Sequence, residues 1–256
     1  MKKLKIGVYG GKFDPIHIGH LICAEWTRER FELDKVLFVT SANPPHKKTG
    51  VLDANFRHEM VKAAVAPNCY FEACDIELKR TGASYTVDTI KELALRYGGD
   101  AELFLMISAE YLEPQNPWRI DKWHGAEEIF KIATILVFPR DVNGLAQIEE
   151  WKKAIPQARI EALMAPSPPV SSSLIRERLS KGLSVWYMVT AEVWRIIRDR
   201  KHYMDPAVPA QRVSCKVYVD PAPAAQGDSG KRFSWRKPST WWGAFLRAAE
   251  NYQGGF

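Results

Sequence analysis

The sequence predicts a doubly wound α/β fold, a parallel sheet with helices on both faces, followed by a C-terminal extension. Three observations predict it. The runs Leu4 to Tyr9, Lys35 to Thr40, Leu103 to Ile107 and Thr134 to Phe138 are apolar almost throughout, as strands buried on both faces are. The stretches between them place apolar residues at helical spacing. The first run ends on Gly10-Gly11, a turn signal just where such sheets hold ligands, beyond the carboxyl ends of their strands.

In chain order, Leu4 to Tyr9 is the first strand and a helix runs from about His20 to Phe31. Lys35 to Thr40, rich in Val and Phe, is the second strand, and Asn43-Pro44-Pro45 after it is loop, because proline lacks an N–H and restrains its predecessor. Asn55 to Ala66 sets Phe56, Met60, Ala63 and Ala64 on a helical period, and Tyr70 to Glu77 alternates weakly like a strand. Thr86 to Tyr97 carries Val87, Ile90, Leu93 and Leu95 on a helical period and closes on Gly98-Gly99. Leu103 to Ile107 is the next core strand. A helix at Glu127 to Lys131, the strand Thr134 to Phe138 and a short helix at Ile148 to Ile155 follow. The last helices are Ser172 to Ser180 and Thr190 to Arg200.

The composition narrows the function classes. The 256 residues are 46% hydrophobic and 26% charged with 16 Gly and 16 Pro, which excludes a collagen-like or wholly disordered chain. Four cysteines without C-x-x-C or zinc spacing make no disulfide scaffold, so a reducing cytoplasm is expected. Lys5, Gly7, Gly10 and Gly11 interrupt the N-terminal apolar run, and no window approaches about 18 apolar residues, so neither a signal peptide nor a membrane span is expected. A net charge of +6 favours an anionic partner.

The chemistry is concentrated in Gly10-Gly11-Lys12-Phe13-Asp14-Pro15-Ile16-His17-Ile18-Gly19-His20. Glycines let a phosphate approach the backbone, and the helix that follows offers free N–H groups and a positive dipole end. His17 and His20, one turn apart, can address one phosphate and donate to oxygens whose charge grows in a transition state. Far along the chain, Ser171-Ser172-Ser173 opens another helix with Arg176 one turn in. That is a second cluster of hydroxyl, N–H and cationic groups suited to phosphate.

His17-Ile18-Gly19-His20 resembles the His-x-Gly-His signature of the nucleotidyltransferase superfamily, which class I aminoacyl-tRNA synthetases share. The Ser171 to Arg178 segment is similar to its Ser-Ser-Thr-x-x-Arg motif, and nothing resembles the lysine-rich synthetase motif. Residues 4 to 203 look like the bacterial nicotinate-mononucleotide adenylyltransferases. The resemblance is carried further by Asn43 to Lys47, Arg57 to Met60, Glu77 to Arg80, Ser84 to Thr86, Asp88-Thr89, Trp118 and Arg140.

The resemblance implies a Rossmann-like fold of nucleotidyltransferase type. It implies transfer of the adenylyl group of ATP to nicotinate mononucleotide, giving deamido-NAD and pyrophosphate, with Mg²⁺ on the ATP phosphates and no protein metal site. By the same resemblance, His17, His20 and Arg176 are catalytic. Gly10, Gly11, Phe13, Ser108, Glu110, Ser171, Ser172 and Ser173 bind ATP. Lys12, His46, Lys47, Arg57, Ser84, Tyr85, Thr86 and Trp118 bind the mononucleotide, with the nicotinate ring on Trp118.

Three departures from the family pattern stand out. Lys12 replaces the usual Thr or Ser, Ser108-Ala109-Glu110 replaces Gly-x-Asp, and Gln115 to Gly125 is longer, so Trp123 competes with Trp118 for the ring. Another phosphorylated acceptor, including nicotinamide mononucleotide, and a non-catalytic nucleotide- or nucleic-acid-binding relative are the rival readings. A homo-oligomer is compatible with the sequence; a membrane or nucleic-acid partner is not expected for the core.

Residues 204 to 256 lie beyond the resemblance. They combine an alternating stretch at Arg212 to Val219, a Pro/Ala/Gly linker, and Trp235, Trp241 and Trp242 beside Arg232, Arg236 and Lys237. Such a cluster either docks on the domain or a partner subunit or binds a nucleic acid or an anionic surface. With seven Lys and Arg against four Asp and Glu, this extension holds half of the chain's net charge of +6.

Overall fold

All four apolar runs are strands of one six-stranded parallel sheet, ordered β3-β2-β1-β4-β5-β6. The computed structural model describes residues 3–42, 51–139, 144–166 and 168–207. The strands are β1 Leu4–Gly11, β2 Lys35–Thr40, β3 Phe71–Cys74, β4 Ala101–Ser108, β5 Ala133–Phe138 and β6 Ile160–Ala162. The helices are α1 Ile18–Phe31, α2 Ala54–Val65, α3 Thr86–Tyr97, α4 Ala126–Ile132, α5 Gly144–Trp151, α6 Ser172–Ser180 and α7 Ala191–Asp199. Among the described residues no helix is long and apolar enough to cross a membrane.

Because strand side chains alternate across the sheet, β4 feeds two cores at once. Leu103, Leu105 and Ile107 pack with Ile6, Val8, Leu37 and Val39 against α3, α4 and α5. Phe104 and Met106 pack with Val36, Phe38 and Leu136 against residues of α1, α2, α6 and α7. Helices therefore cover both faces, and a strand wetted on neither face has no reason to alternate in sequence.

Among the boundaries that differ from the sequence reading, three change how a segment is understood. Helix α1 starts at Ile18, not His20, so His17 becomes its N-cap residue. Strand β3 ends at Cys74, and Leu78 N–H then bonds Asp75 O at 2.9 Å and turns the chain. Helix α5 begins at Gly144, and a 3₁₀ turn covers Lys152–Ala154. Strand β6 is absent from the sequence reading, since three residues with a charge in the middle carry no readable period. The alternating stretch at 212–219, the linker and the tryptophans beyond lie outside the described residues, as do Asn43 to Gly50 and Arg140.

Candidate active site

The strand order reverses between β1 and β4, and the segments leaving their carboxyl ends are Lys12 to His17 and Ala109–Tyr111. A crevice opens at such a reversal, because the crossovers on either side lead in opposite directions. The histidine loop sits at that point by topology alone. Ser108, the last residue of β4, is half-buried opposite Phe138 of β5, and Glu110 follows in the 3₁₀ turn, its carbonyl held by Asn116 Nδ2 at 2.6 Å.

The His17 and His20 rings stack with centroids 3.7 Å apart. His17 N–H donates to His20 Nδ1 at 3.2 Å. That bond makes Nδ1 an acceptor, so a neutral His20 carries its proton on Nε2 and presents it as a donor. Gly19 makes the stack possible, since a Cβ there would stand 3.1 Å from the His17 ring. Phe13 meets His20 edge-on at 5.1 Å and closes the apolar side of the pair. Burial pushes the His17 pKa down to about 4, and burial together with the neighbouring His17 holds His20 well below the ordinary value. Both imidazoles are thus neutral donors at neutral pH. Nδ1 of His17 is buried without a hydrogen-bond partner among the described residues.

The two glycines before the loop do different work. A side chain at Gly10 would meet nothing within 4 Å, whereas at Gly11 it would reach the Phe13 ring at 2.9 Å. Gly10 leaves the space beside the backbone open, and Gly11 makes room for Phe13.

Helix α6 is bonded to the same loop across more than half the chain. Ser172 Oγ donates to Pro15 O at 2.8 Å and Arg176 Nη1 to Asp14 O at 2.7 Å. The three serines divide the local tasks. Ser171 Oγ accepts from Leu174 N at 3.1 Å as the N-cap, Ser172 spends its proton on Pro15, and Ser173 Oγ accepts from Arg176 Nη2 at 3.3 Å. Ser171 and Ser173 keep their protons for an anion, and the Leu174 N–H of the first turn is the one that Ser171 caps.

Ser84, Tyr85 and Thr86 meet at the start of α3, with Tyr85 as N-cap residue and its ring 4.5 Å from His124. Ser84 is buried and its hydroxyl finds no partner among the described residues. The two tryptophans separate clearly. Trp123 Nε1 donates to Trp118 O at 2.8 Å, and its ring stands edge-on to Tyr111 at 5.2 Å, packed on the core. Trp118 is 47% exposed, so its indole is the more accessible of the two.

Lys12 sits half-buried at the start of the loop, whereas His46 and Lys47 lie outside the described residues. The expectation for Arg57 is corrected. Its side chain is 1% exposed, and its guanidinium is spent on the carbonyls of Leu52, Lys12 and Ser41. A group so enclosed does not reach a substrate phosphate.

Three further groups have no role in the sequence reading. Asp14 is 4% exposed, accepts from Tyr203 Oη at 2.7 Å and lies 3.7 Å from Arg176 Nη1. Buried Glu77 accepts from Thr89 Oγ1 at 2.9 Å and from Ala42 N–H, and burial raises its pKa. His124 packs on Tyr85. These partners lie 12 to 189 residues apart, a distance no local pattern bridges. Only the placing of Asp14 and Glu77 within the matching motifs hints at them.

A parallel sheet with neutral imidazole donors at its reversal point, faced by the serine and arginine of a second helix, defines a nucleotide-binding protein of the transferase class. The cytidylyltransferase-like family model matches residues 8–178. The probable nicotinate-nucleotide adenylyltransferase of Shouchella clausii is 37% identical over 202 residues, 78% of this chain and 97% of its own length. That of Dictyoglomus thermophilum is 39% identical over 191 residues, 74% of this chain and 94% of its own. Among solved structures, Plasmodium falciparum nicotinic acid mononucleotide adenylyltransferase complexed with NaAD superposes with a TM-score of 0.62 at 15% identity. The match covers 78% of this chain and 97% of that one, a likeness of fold. The chain belongs to the cytidylyltransferase-like family and, within it, to the nicotinate-nucleotide adenylyltransferases.

Proposed function

We propose that the protein transfers the adenylyl group of ATP to nicotinate mononucleotide, forming deamido-NAD and pyrophosphate. The observation that carries this reading is the stacked His17–His20 pair on a loop that Ser172 and Arg176 of α6 hold from the other side. The relatives at 37% and 39% identity bear the name of that activity.

The attacking group is the phosphate of the mononucleotide, already an anion, so no general base is needed and catalysis is positioning plus charge stabilisation. His20 Nε2–H, with its tautomer set by the His17 N–H, and the His17 ring donate to oxygens of the reacting phosphates. Arg176 and the first turn of α6 hold the departing pyrophosphate. Trp118 stacks on the nicotinate ring, and the N-terminus of α3 around Ser84 to Thr86 receives its carboxylate. Lys12 adds a cation beside the acceptor phosphate, where His46 and Lys47 are also assigned. Gly10, Gly11 and Phe13 shape the ATP side, and Ser108 and Glu110 lie on the ribose side.

Among the described residues no three His, Cys, Asp or Glu side chains gather to hold a metal. In the loop itself the Asp14 carboxylate is taken by Tyr203. Mg²⁺ is assigned to the substrate, entering as MgATP with phosphate and water oxygens around it, as the family resemblance implies.

Purified protein incubated with MgATP and nicotinate mononucleotide releases pyrophosphate under this reading. No release with that acceptor, while nicotinamide mononucleotide or another phosphate ester supports it, rejects the assignment. Catalysis is assigned to residues 1–203, a span that holds the family match at residues 8–178 and is close in length to the 202 residues aligned with a relative. Removal of residues 206–256 then leaves turnover in place, and the mass of both proteins in solution reports whether the extension governs assembly.

A further inference from the structure

Arg57 lies on α2, in neither of the two phosphate motifs, and it is among the largest fully buried side chains. Its donors meet backbone carbonyls. Nε bonds Leu52 O at 2.8 Å, Nη2 bonds Ser41 O at 2.7 Å, and Nη1 bonds Lys12 O. Burying a guanidinium is costly compared with an apolar side chain of the same size, and the nearby Asp14 and Glu77 carboxylates offset part of that cost. What the charge achieves is geometric. The three carbonyls belong to the segment leaving β1, the segment leaving β2 and the approach to α2.

In a trans peptide the N–H points opposite to the C=O. Drawing Lys12 O and Ser41 O inward to Arg57 turns the N–H groups of Phe13 and Ala42 the other way, and Ala42 N–H is the one that Glu77 receives. Two further carbonyls of the loop are held from α6, Asp14 O by Arg176 and Pro15 O by Ser172. Carbonyl oxygens that would repel a phosphate are thus tied back by side chains of α2 and α6.

We propose that Arg57 is a positioning residue for adenylyl transfer: by joining the segments after β1 and β2 it fixes the Lys12–Phe13 and Ser41–Ala42 peptides so that the two reacting phosphates meet in line. This inference rests on the transferase reading above. In-line transfer is sensitive to such placement, since a misplacement of about 1 Å costs on the order of a hundredfold in rate.

The test is Arg57→Lys, which keeps the charge and reaches fewer carbonyls, beside Arg57→Ala with and without millimolar methylguanidinium. Melting temperature is measured on each, so that kcat and KM refer to folded protein. The expected result is a kcat lower by about tenfold or more in R57K with a smaller change in KM, and partial recovery of R57A by methylguanidinium. Wild-type kcat per folded molecule in R57K, with only the melting temperature lowered, overturns the proposal; should R57A not fold, R57K decides alone. If wild-type protein yields no pyrophosphate from MgATP and nicotinate mononucleotide, the transferase reading fails separately. Calorimetric binding of α,β-methylene-ATP then carries the test, with R57K expected weaker by about threefold or more and equal affinity overturning the proposal.

Discussion

Acid should loosen this protein through its histidine stack, by an amount that can be isolated at His17. Burial lowers the His17 pKa from 6.5 to about 4, while the unfolded chain keeps the ordinary value. Between those values the unfolded state binds more protons than the folded one, so stability rises with pH across that window. The contribution is complete above about pH 6.5 and is lost as pH falls to about 4. At about 1.4 kcal/mol per pKa unit, the displacement from 6.5 to about 4 corresponds to about 3 kcal/mol. His20 is displaced in the same direction, in part by a charge on His17, so removing His17 relieves some of that as well.

The assay is urea unfolding from neutral pH down to about pH 4, followed by tryptophan fluorescence, for the wild type and His17→Gln. Other groups titrate in both proteins and cancel in the difference. Wild type should lose about 3 kcal/mol more than H17Q across that range. A difference flat to within about 0.5 kcal/mol, the ordinary scatter of additive effects, refutes the claim that burial keeps this pair neutral. Nucleotide acts oppositely, because phosphate charge favours the imidazolium. ATP binding in mild acid should therefore take up protons, visible by calorimetry in buffers of different ionisation enthalpy.

Three further predictions concern neighbouring parts of the site. Trp118→Ala should raise the mononucleotide KM about tenfold, since base stacking on an aromatic ring contributes about 1–3 kcal/mol, and Trp123→Ala should instead lower the melting temperature; the reverse pattern in steady-state kinetics and calorimetry exchanges their roles. Gly19→Ala puts a Cβ 3.1 Å from the His17 ring and should lower kcat with little change in melting temperature, measured by pyrophosphate release and thermal scanning. Tyr203→Phe removes the donor 2.7 Å from Asp14 Oδ1 and should cost about 1–3 kcal/mol in urea unfolding, because a buried carboxylate loses a hydrogen bond.

The sheet was legible because its central strands are buried on both faces, which forces unbroken apolar runs such as Val36 to Val39 and Leu103 to Ile107. Strand β6 escaped the same reading because an edge of three residues needs no such run. The histidine pair and the serine turn were legible as local patterns at helix starts. Arg57 was misread for a reason that composition cannot repair: a cation near phosphate motifs looks the same in sequence whether it faces the ligand or turns inward. Its three carbonyl partners come from residues 12, 41 and 52, and only the fold brings them to one guanidinium.

The same distinction governs the departures at Ser108 and Glu110. Both stay at the carboxyl end of β4, beside the strand that delivers the histidine loop, and the carbonyl of Glu110 is held in place by Asn116. Their side chains are variables on a fixed platform. The parts that set the loop's conformation are elsewhere, in Arg57, Ser172, Arg176 and the Tyr203–Asp14 bond. An anion site made of backbone needs its carbonyl oxygens held away from the ligand, and here three of them, on Lys12, Asp14 and Pro15, are held by side chains from α2 and α6. Under the proposed roles, the loop's conformation is set in part by Arg57 and the Tyr203–Asp14 bond, which lie behind it, while Arg176 both shapes the loop and faces the phosphates.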